Sequence, residues 1–112
     1  MALEVTRDNG FMICSFDGEL SFDVVQSVGA ELDEYLEESP EVLIVDLSNA
    51  TYLDSTGISL LMRCHAHMKR EGRNWVMAGA KGPIERVIKI MKLDTVFTMT
   101  PSVEEAKAAA RG

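Results

Sequence analysis

The residues best suited to chemistry lie in the stretch Leu53-Asp54-Ser55-Thr56-Gly57, where an acid directly precedes a serine. An apolar run precedes this stretch in the sequence, and a run with helical periodicity follows it. Ser55 could therefore cap a helix, act as a nucleophile or accept a phosphate. Each role makes a different demand on its surroundings.

A nucleophilic serine needs a general base within hydrogen-bond reach. The two histidines, His65 and His67, lie on the same predicted helix as Ser55. Ten residues at about 1.5 Å rise put His65 roughly 15 Å away. Asp54, in a surface turn, lacks the burial that would bring its pKa close to the operating pH. We therefore predict no catalytic residues and no enzymatic activity.

Metal and cofactor sites are also poorly supported. His65 and His67, two residues apart on a helix, point in nearly opposite directions and cannot share an ion. Cys64 and His67 are three residues apart, but no third ligand is evident. The segment Gly79–Gly82 resembles part of a phosphate-binding loop without its full spacing, so a glycine turn is the better interpretation. We expect neither metal nor cofactor.

A phosphate on Ser55 would add about −1.5 to −2 charges at the positive end of a helix. Free backbone N–H groups there would accommodate it, so the fold should tolerate the modification. A partner docking beside Asp54 would instead meet repulsion and a desolvation cost of several kcal/mol. A simple helix cap and a phosphoacceptor both remain open from the residues alone.

Length and composition indicate one globular domain over residues 1–112, with 46% hydrophobic residues. The net charge of −7 argues against nucleic acid and an anionic membrane as partners. No apolar run approaches the roughly 20 residues of a membrane span, and the N-terminus does not resemble a signal peptide. Cys14 and Cys64 are interpreted as reduced, buried thiols, which favours a cytoplasmic location.

Hydrophobic periodicity and turn residues predict the fold ββαβαβαβα, an α/β domain with a mostly parallel sheet covered by about four helices. The predicted elements are strands at 3–8 and 11–17 around Asn9-Gly10, a turn at Gly18–Leu20, a helix from the cap Ser21 to about Glu38, a strand at Val42–Leu47, a loop at Asn49–Tyr52, a helix from about Thr56 to Glu71, a strand at Trp75–Ala78, a helix starting at Pro83, a strand at Asp94–Phe97 and a last helix opened by Ser102–Glu105.

These motifs together closely resemble the STAS domain family, and more narrowly the stand-alone anti-sigma factor antagonists of bacteria. The resemblance covers nearly the whole chain and is carried by Val42–Ser48, Tyr52–Gly57, Gly18-Glu19-Leu20, Glu71-Gly72, Met91–Leu93 and Val96-Phe97. Ser21 stands where the family often has an aspartate, a departure that bears on which partner is bound.

The resemblance implies a protein switch. In such proteins the serine of this motif is phosphorylated by an anti-sigma factor that is also a serine kinase of the GHKL type. The unphosphorylated antagonist binds that kinase and frees the sigma factor, and a PP2C-type phosphatase resets the switch. By position, Ser55 is the acceptor and Asp54 helps the kinase to recognise it. Thr56 and Gly57 shape the helix start, Gly57 letting a partner backbone approach.

We also predict the partner-binding surface, which combines the Asp54 turn with the exposed side of the following helix. On a helical wheel, Leu60 lies away from the apolar stripe formed by Ile58, Leu61, Met62, His65 and Met68, so we expect it to be exposed. The predicted partner-binding residues are Asp54, Ser55, Thr56, Gly57, Ser59, Leu60 and Arg63.

Two other functions are kept as alternatives. A STAS accessory subunit of a lipid-transport ATPase complex would use the same helix face without a phosphorylation switch. A nucleotide-binding sensor is the second alternative. The sequence leaves open a weak homodimer, the sigma factor involved and the upstream signal.

Overall fold

A computed structural model describes residues 2–111, with side chains through residue 110. It contains five strands and four α-helices in the predicted order. They are β1 (Leu3–Asp8), β2 (Phe11–Leu20), α1 (Phe22–Glu37), β3 (Val42–Leu53), α2 (Ser55–Arg70), β4 (Asn74–Ala78), α3 (Pro83–Ile90), β5 (Met99–Thr100) and α4 (Val103–Arg111), with a 3-10 turn at Leu93–Thr95 before β5.

The strands form one mixed sheet in the order β1-β2-β3-β4-β5. β1 and β2 are antiparallel, and the later neighbours are parallel. The β1–β2 hairpin turns at Asn9 and Gly10, whose φ angles of 50° and 86° confirm the predicted two-residue turn. β2 therefore lies inside the sheet, as its apolar residues on both faces predict.

The two faces of the sheet are covered unequally. Each parallel crossover is expected to be right-handed and leads to the next strand in the same direction, so α1, α2 and α3 share one face. Their core includes Leu43, Val45 and Leu47 of β3. α4 packs on the other face, where Ala106 joins the cluster containing Ile44.

β2 and β3 extend further than predicted. Gly18–Leu20 and Asn49–Tyr52, expected as a turn and a loop, continue the two strands and pair with each other across register shifts. Glycine and asparagine have low strand propensity, which suggested irregular structure. Pairing between neighbouring strands overrides that local preference here.

The prediction of a strand at Asp94–Phe97 is wrong. Lys92 adopts a left-handed conformation, with φ of 59°, and ends α3. The following 3-10 turn is closed by the N–H of Val96, which donates to the carbonyl of Leu93 at 3.0 Å, and the N–H of Phe97 donates to the same carbonyl at 2.8 Å. Phe97 is buried in the core, and the fifth strand forms later, at Met99.

Most predicted helix ends are confirmed. Pro83 occupies the first turn of α3, and Gly72, with φ of 67°, follows the end of α2. The Ser102 hydroxyl accepts the N–H of Glu105 at 3.2 Å, as a capping box requires. Ser21 does occupy the N-cap position of α1, but its side chain makes no capping hydrogen bond.

Both cysteines are free and fully buried, as predicted. Burial raises the pKa of each thiol to about 12. The thiols therefore stay protonated and behave as small apolar groups of the core. Within residues 2–111, no helix combines the length and apolarity that crossing a membrane would require.

Candidate functional site

The candidate site lies where β2 and β3 end side by side. Leu20, the last residue of β2, pairs with Leu53, the last residue of β3. α1 begins two residues after Leu20 and α2 begins two residues after Leu53. The parallel pairing therefore brings the first turns of the two helices to the same end of the sheet, next to the carboxyl ends of β2 and β3.

Asp54, rather than Ser55, caps α2. Its Oδ1 atom accepts the backbone N–H groups of Thr56 and Gly57, at 3.0 and 3.1 Å, and also the hydroxyl of Thr56. Its backbone is extended, as at an ordinary N-cap. The carboxylate thus satisfies donors that the helix itself cannot pair.

These hydrogen bonds set the charge state of the cap. The Thr56 hydroxyl, followed by the N–H of Gly57, lowers the pKa of Asp54 below its usual value. Donors favour the ionised carboxyl, which accepts them. A stable negative charge therefore lies immediately before Ser55 at neutral pH.

Ser55 is the first residue of α2 and is exposed. Its hydroxyl has no hydrogen-bond partner among the described residues, whereas the neighbouring hydroxyls of Thr56 and Ser59 are engaged by Asp54 and by the Ser55 carbonyl. The predicted accessibility of Ser55 is confirmed. The expectation that the N–H groups beyond it are free is wrong, because the Asp54 carboxylate already occupies those of Thr56 and Gly57.

Gly57 is buried, which corrects its predicted role in admitting a partner backbone. A Cβ atom at this position would lie 2.5 Å from Cδ1 of Leu53 and 2.6 Å from the carbonyl oxygen of Leu20. The backbone that approaches Gly57 closely is therefore the chain's own β2. Gly57 allows the first turn of α2 to rest on the strand ends.

Leu60 is fully buried, so its prediction as an exposed partner-binding residue is wrong. α2 packs against both the sheet and α1, and its buried stripe is accordingly centred on Leu61, Cys64 and Met68. Leu60 lies on the α1 side of that stripe. Met62, predicted to be buried, is instead 37% exposed.

Ser59 and Arg63 lie on the outside of α2, as predicted. The Arg63 guanidinium nevertheless reaches back to α1, with Nη1 3.4 Å from the carbonyl of Gly29 and 3.5 Å from Oδ1 of Asp33. Arg63 therefore helps to hold the two helices together while its side chain remains half exposed.

Two large, exposed apolar residues near the paired ends of β2 and β3 were missed by the sequence analysis. Phe22, the first residue of α1, is 57% exposed, and Tyr52, three residues before Ser55, is 47% exposed. Exposed aromatic residues supply much of the binding energy in many protein interfaces. The sequence did contain a signal for the exposure of Phe22, which follows the Ser21 cap directly. The first turn of a helix is often not covered by neighbouring elements.

The histidines and Cys64 do not serve Ser55. His65 accepts the indole N–H of Trp75, while His67 donates to the carbonyl of Leu36. Within the described residues, no three His, Cys, Asp or Glu side chains are arranged to hold a metal ion. The site thus combines a free hydroxyl, a fixed carboxylate and apolar flanks, which suits a contact that added charge can disrupt.

The STAS domain model matches residues 2–106, almost the full length of the described chain. The chain belongs to the STAS domain family. This agrees with the resemblance seen in the motif around Ser55 and with the observed α/β fold.

Among curated proteins, this STAS chain is similar to the anti-sigma-F factor antagonist RsfB of Mycobacterium tuberculosis, with 25% identity covering 100% of the chain and 91% of RsfB. An anti-sigma factor antagonist from Mycobacterium paratuberculosis matches with a TM-score of 0.87 and 25% identity, covering 98% and 93% of the two chains. The anti-sigma factor antagonist SpoIIAA, solved in its unphosphorylated form, has a TM-score of 0.83 and 16% identity over 99% and 97%.

Proposed function

We propose that this protein is an anti-sigma factor antagonist controlled by phosphorylation of Ser55. Its unphosphorylated form binds an anti-sigma factor that is also a GHKL-type serine kinase, and so releases a sigma factor. Phosphorylation ends the binding, and a PP2C-type phosphatase restores it. The observation that carries the proposal is the exposed Ser55 hydroxyl, which has no partner among the described residues and lies beside a capped carboxylate.

The relatives support the same class of function. RsfB and the Mycobacterium paratuberculosis protein are named as antagonists of anti-sigma factors, and each aligns with almost the whole chain. An antagonist acts by contact, and the edge of the sheet at Ser55 offers a contact surface. We define the α2 face as Ser55, Ser59, Met62 and Ala66, which lie within about 60° on the helical wheel and are all exposed.

The α2 face has apolar neighbours that would strengthen a protein interface. The exposed Phe22 opens α1 and the exposed Tyr52 lies near the end of β3, the two elements whose ends meet at the start of α2, and Arg63 borders the face on α2 itself. The revised partner surface therefore combines the α2 face with Asp54, Thr56, Arg63 and these aromatic residues. Leu60 and Gly57 support it from beneath.

A phosphate at Ser55 would act on this surface more than on the fold. Asp54 already holds the first N–H groups of α2, so the new dianion would lie beside a carboxylate and remain directed toward solvent. A docking partner would have to desolvate both charges at once. The fold loses little, because the capping hydrogen bonds do not involve the Ser55 side chain.

Three measurements test the proposal. Mass spectrometry of the protein isolated from its native cells should find phosphate on Ser55. Ser55→Asp should weaken binding to the captured kinase by at least about tenfold, or about 1.4 kcal/mol, with an almost unchanged melting temperature. Ser55→Ala should abolish phosphate incorporation; persistent labelling would move the site to Thr56 or Ser59.

The matched control is Ser102→Asp, which adds the same charge on the other side of the sheet. Ser102 caps α4, and aspartate caps equally well, so this variant should bind the kinase normally. Equal weakening by both substitutions would indicate a nonspecific charge effect. Capture of a transporter ATPase instead of a GHKL-type kinase would reject the proposed function in favour of a transport accessory subunit.

A further inference from the structure

A pocket of about 250 Å³ lies at the opposite end of α2 from Ser55. It is bounded by the end of α2, the start of β4 and the segment before β5. His65, the pocket residue nearest to Ser55 along the chain, is ten residues from it, which is roughly 15 Å along the helix axis. The pocket is therefore separate from the candidate partner surface.

The lining of this pocket is rich in hydrogen-bond donors and contains no carboxylate. Lys69, Arg73 and Asn74, whose side chains carry an ammonium, a guanidinium and an amide group, line it together with His65 and Trp75. Cationic and N–H donors arriving from several directions are the arrangement that binds an anion. Such a lining is unexpected in a chain whose acidic residues outnumber its basic ones by 18 to 11.

The two cations have no ionic partner within the described part of the chain. Arg7, Arg63, Lys89 and Lys107 all form ion pairs with acidic side chains there, but Lys69 and Arg73 do not. Their positive charges are also not needed to cap α2. The N–H groups of Gly72 and Arg73 already pair with the carbonyls of Lys69 and Met68, at 3.0 and 2.9 Å.

His65 is held in one tautomer by its surroundings. The indole N–H of Trp75 donates to its Nδ1 atom at 2.9 Å, so the neutral ring carries its proton on Nε2. Nε2 has no partner among the described residues. Phe97 fixes the two rings, with centroids 5.7 Å from His65 and 5.2 Å from Trp75. The pocket thus gains a further donor, held in place by aromatic packing.

We propose that this pocket binds a phosphate group, either free inorganic phosphate or the phosphate of a small monoester. A tetrahedral phosphate accepts hydrogen bonds in all directions, which matches donors that come from a helix, a turn and a strand. The volume lies just below the roughly 300 to 1,000 Å³ of pockets for larger organic ligands, so a small anion fits it. Binding here is independent of the state of Ser55.

Trp75 provides a direct probe, because it is the only tryptophan in the chain. The full-length protein is titrated with inorganic phosphate, glycerol 3-phosphate and, at matched ionic strength, sodium chloride. We expect a saturable change in Trp75 emission with at least one phosphate and none with chloride, accompanied by shifts of the Arg73 and Asn74 amide resonances. Whichever phosphate binds more tightly identifies the source of the ligand.

The variant Lys69→Gln/Arg73→Gln should weaken phosphate binding by at least about tenfold, because charge-assisted hydrogen bonds are lost. Lys69→Gln alone, at an exposed position, gives the same test should the double variant melt early. Arg86→Gln, an exposed change on α3, is the matched control and should bind as the wild type does. Responses to phosphate and chloride that do not differ, or equal binding by wild type and the Lys69 variants, would overturn the proposal, as would equal weakening by Arg86→Gln.

Discussion

Both ends of α2 have backbone groups that the helix itself cannot pair, and different groups satisfy them at each end. At the first turn, the Asp54 side chain satisfies the unpaired backbone N–H groups and leaves the Ser55 hydroxyl free. At the last turn, the backbone N–H groups of Gly72 and Arg73 satisfy the unpaired carbonyls and leave the Lys69 cation free. At each end, a polar side chain stays without a partner among the described residues because neighbouring groups already pair with the backbone groups at the helix end. The same principle thus yields an exposed hydroxyl beside a carboxylate at one end and a pocket lined by basic residues at the other.

The largest expected effect tests how the first turn is anchored. Gly57→Ala should destabilise the fold by about 2 kcal/mol, because its Cβ would overlap Leu53 and the Leu20 carbonyl. Gly29→Ala is the matched control in α1, where the new Cβ would meet only the far end of the flexible Arg63 side chain, at 3.0 Å, whose long contacts of 3.4 and 3.5 Å with α1 can shift to make room. Removing that helical glycine should be neutral or stabilising by up to about 1 kcal/mol. Urea denaturation measures both; equal losses would mean that the first turn is not specially packed.

At the other end, Trp75→Phe should cost about 1 kcal/mol through the lost hydrogen bond to His65. The more specific result is a change of tautomer. Nitrogen-15 chemical shifts of the imidazole should move from a single Nε2–H form toward a mixture. Phe97→Leu, which keeps the indole donor, should leave the tautomer unchanged. A mixture already present in the wild type would show that Trp75 does not fix the ring.

A smaller effect concerns the charge of the cap. The pKa of Asp54 in the folded state is lowered, mainly by the Thr56 hydroxyl, below the roughly 3.9 of an unfolded aspartate. Its ionisation therefore stabilises the fold fully above about pH 4 and progressively less as the pH falls through the lowered pKa. Asp54→Asn keeps a capping oxygen but does not titrate.

We therefore expect the melting temperature of the wild type to fall relative to that of Asp54→Asn as the pH is lowered below about 4. Near neutral pH the two proteins should melt within a few degrees of each other, while Asp54→Ala melts lower throughout. Calorimetry over that pH range measures the difference. Parallel curves for wild type and Asp54→Asn would show that the carboxylate charge contributes nothing to the cap.

For the last comparison, phosphate binding by the Ser55→Asp variant, we expect no effect. Ser55→Asp should not change phosphate binding at the Trp75 pocket, because roughly 15 Å of helix separates Ser55 from His65 and the Debye length is about 8 Å at physiological salt. The tryptophan titration of this variant gives the answer. A clear shift in affinity would show that the two ends of α2 are coupled.

Much of the fold could be predicted from the sequence, because local signals and tertiary packing agree. Asn9-Gly10, Pro83 and Ser102 mark element boundaries through backbone requirements that operate within a few residues. The misses occur where a distant partner decides. Gly18–Leu20 and Asn49–Tyr52 become strand because they pair with each other, although neither segment looks like a strand by itself.

The candidate site shows the same division. The capped helix start and the exposed Ser55 follow from the order of residues in the Asp-Ser-Thr-Gly motif. Whether Leu60 is buried depends on how much of the surface of α2 is covered by α1. A helical wheel of α2 alone does not contain that information. The pocket at the end of α2 was missed for a related reason, since Lys69 and Trp75 are brought together only when β4 lies beside α2.

The consecutive order of the strands also affects how a nascent chain can assemble. Each parallel strand pairs with the one that precedes it in sequence, so the growing sheet needs only segments that the ribosome has already released. At every stage one edge of the sheet is the newest strand, while the other edge remains β1. The final edge strand, β5, has just two residues. So short a strand offers few unpaired backbone groups with which a strand of another molecule could pair, and this limits aggregation at that edge.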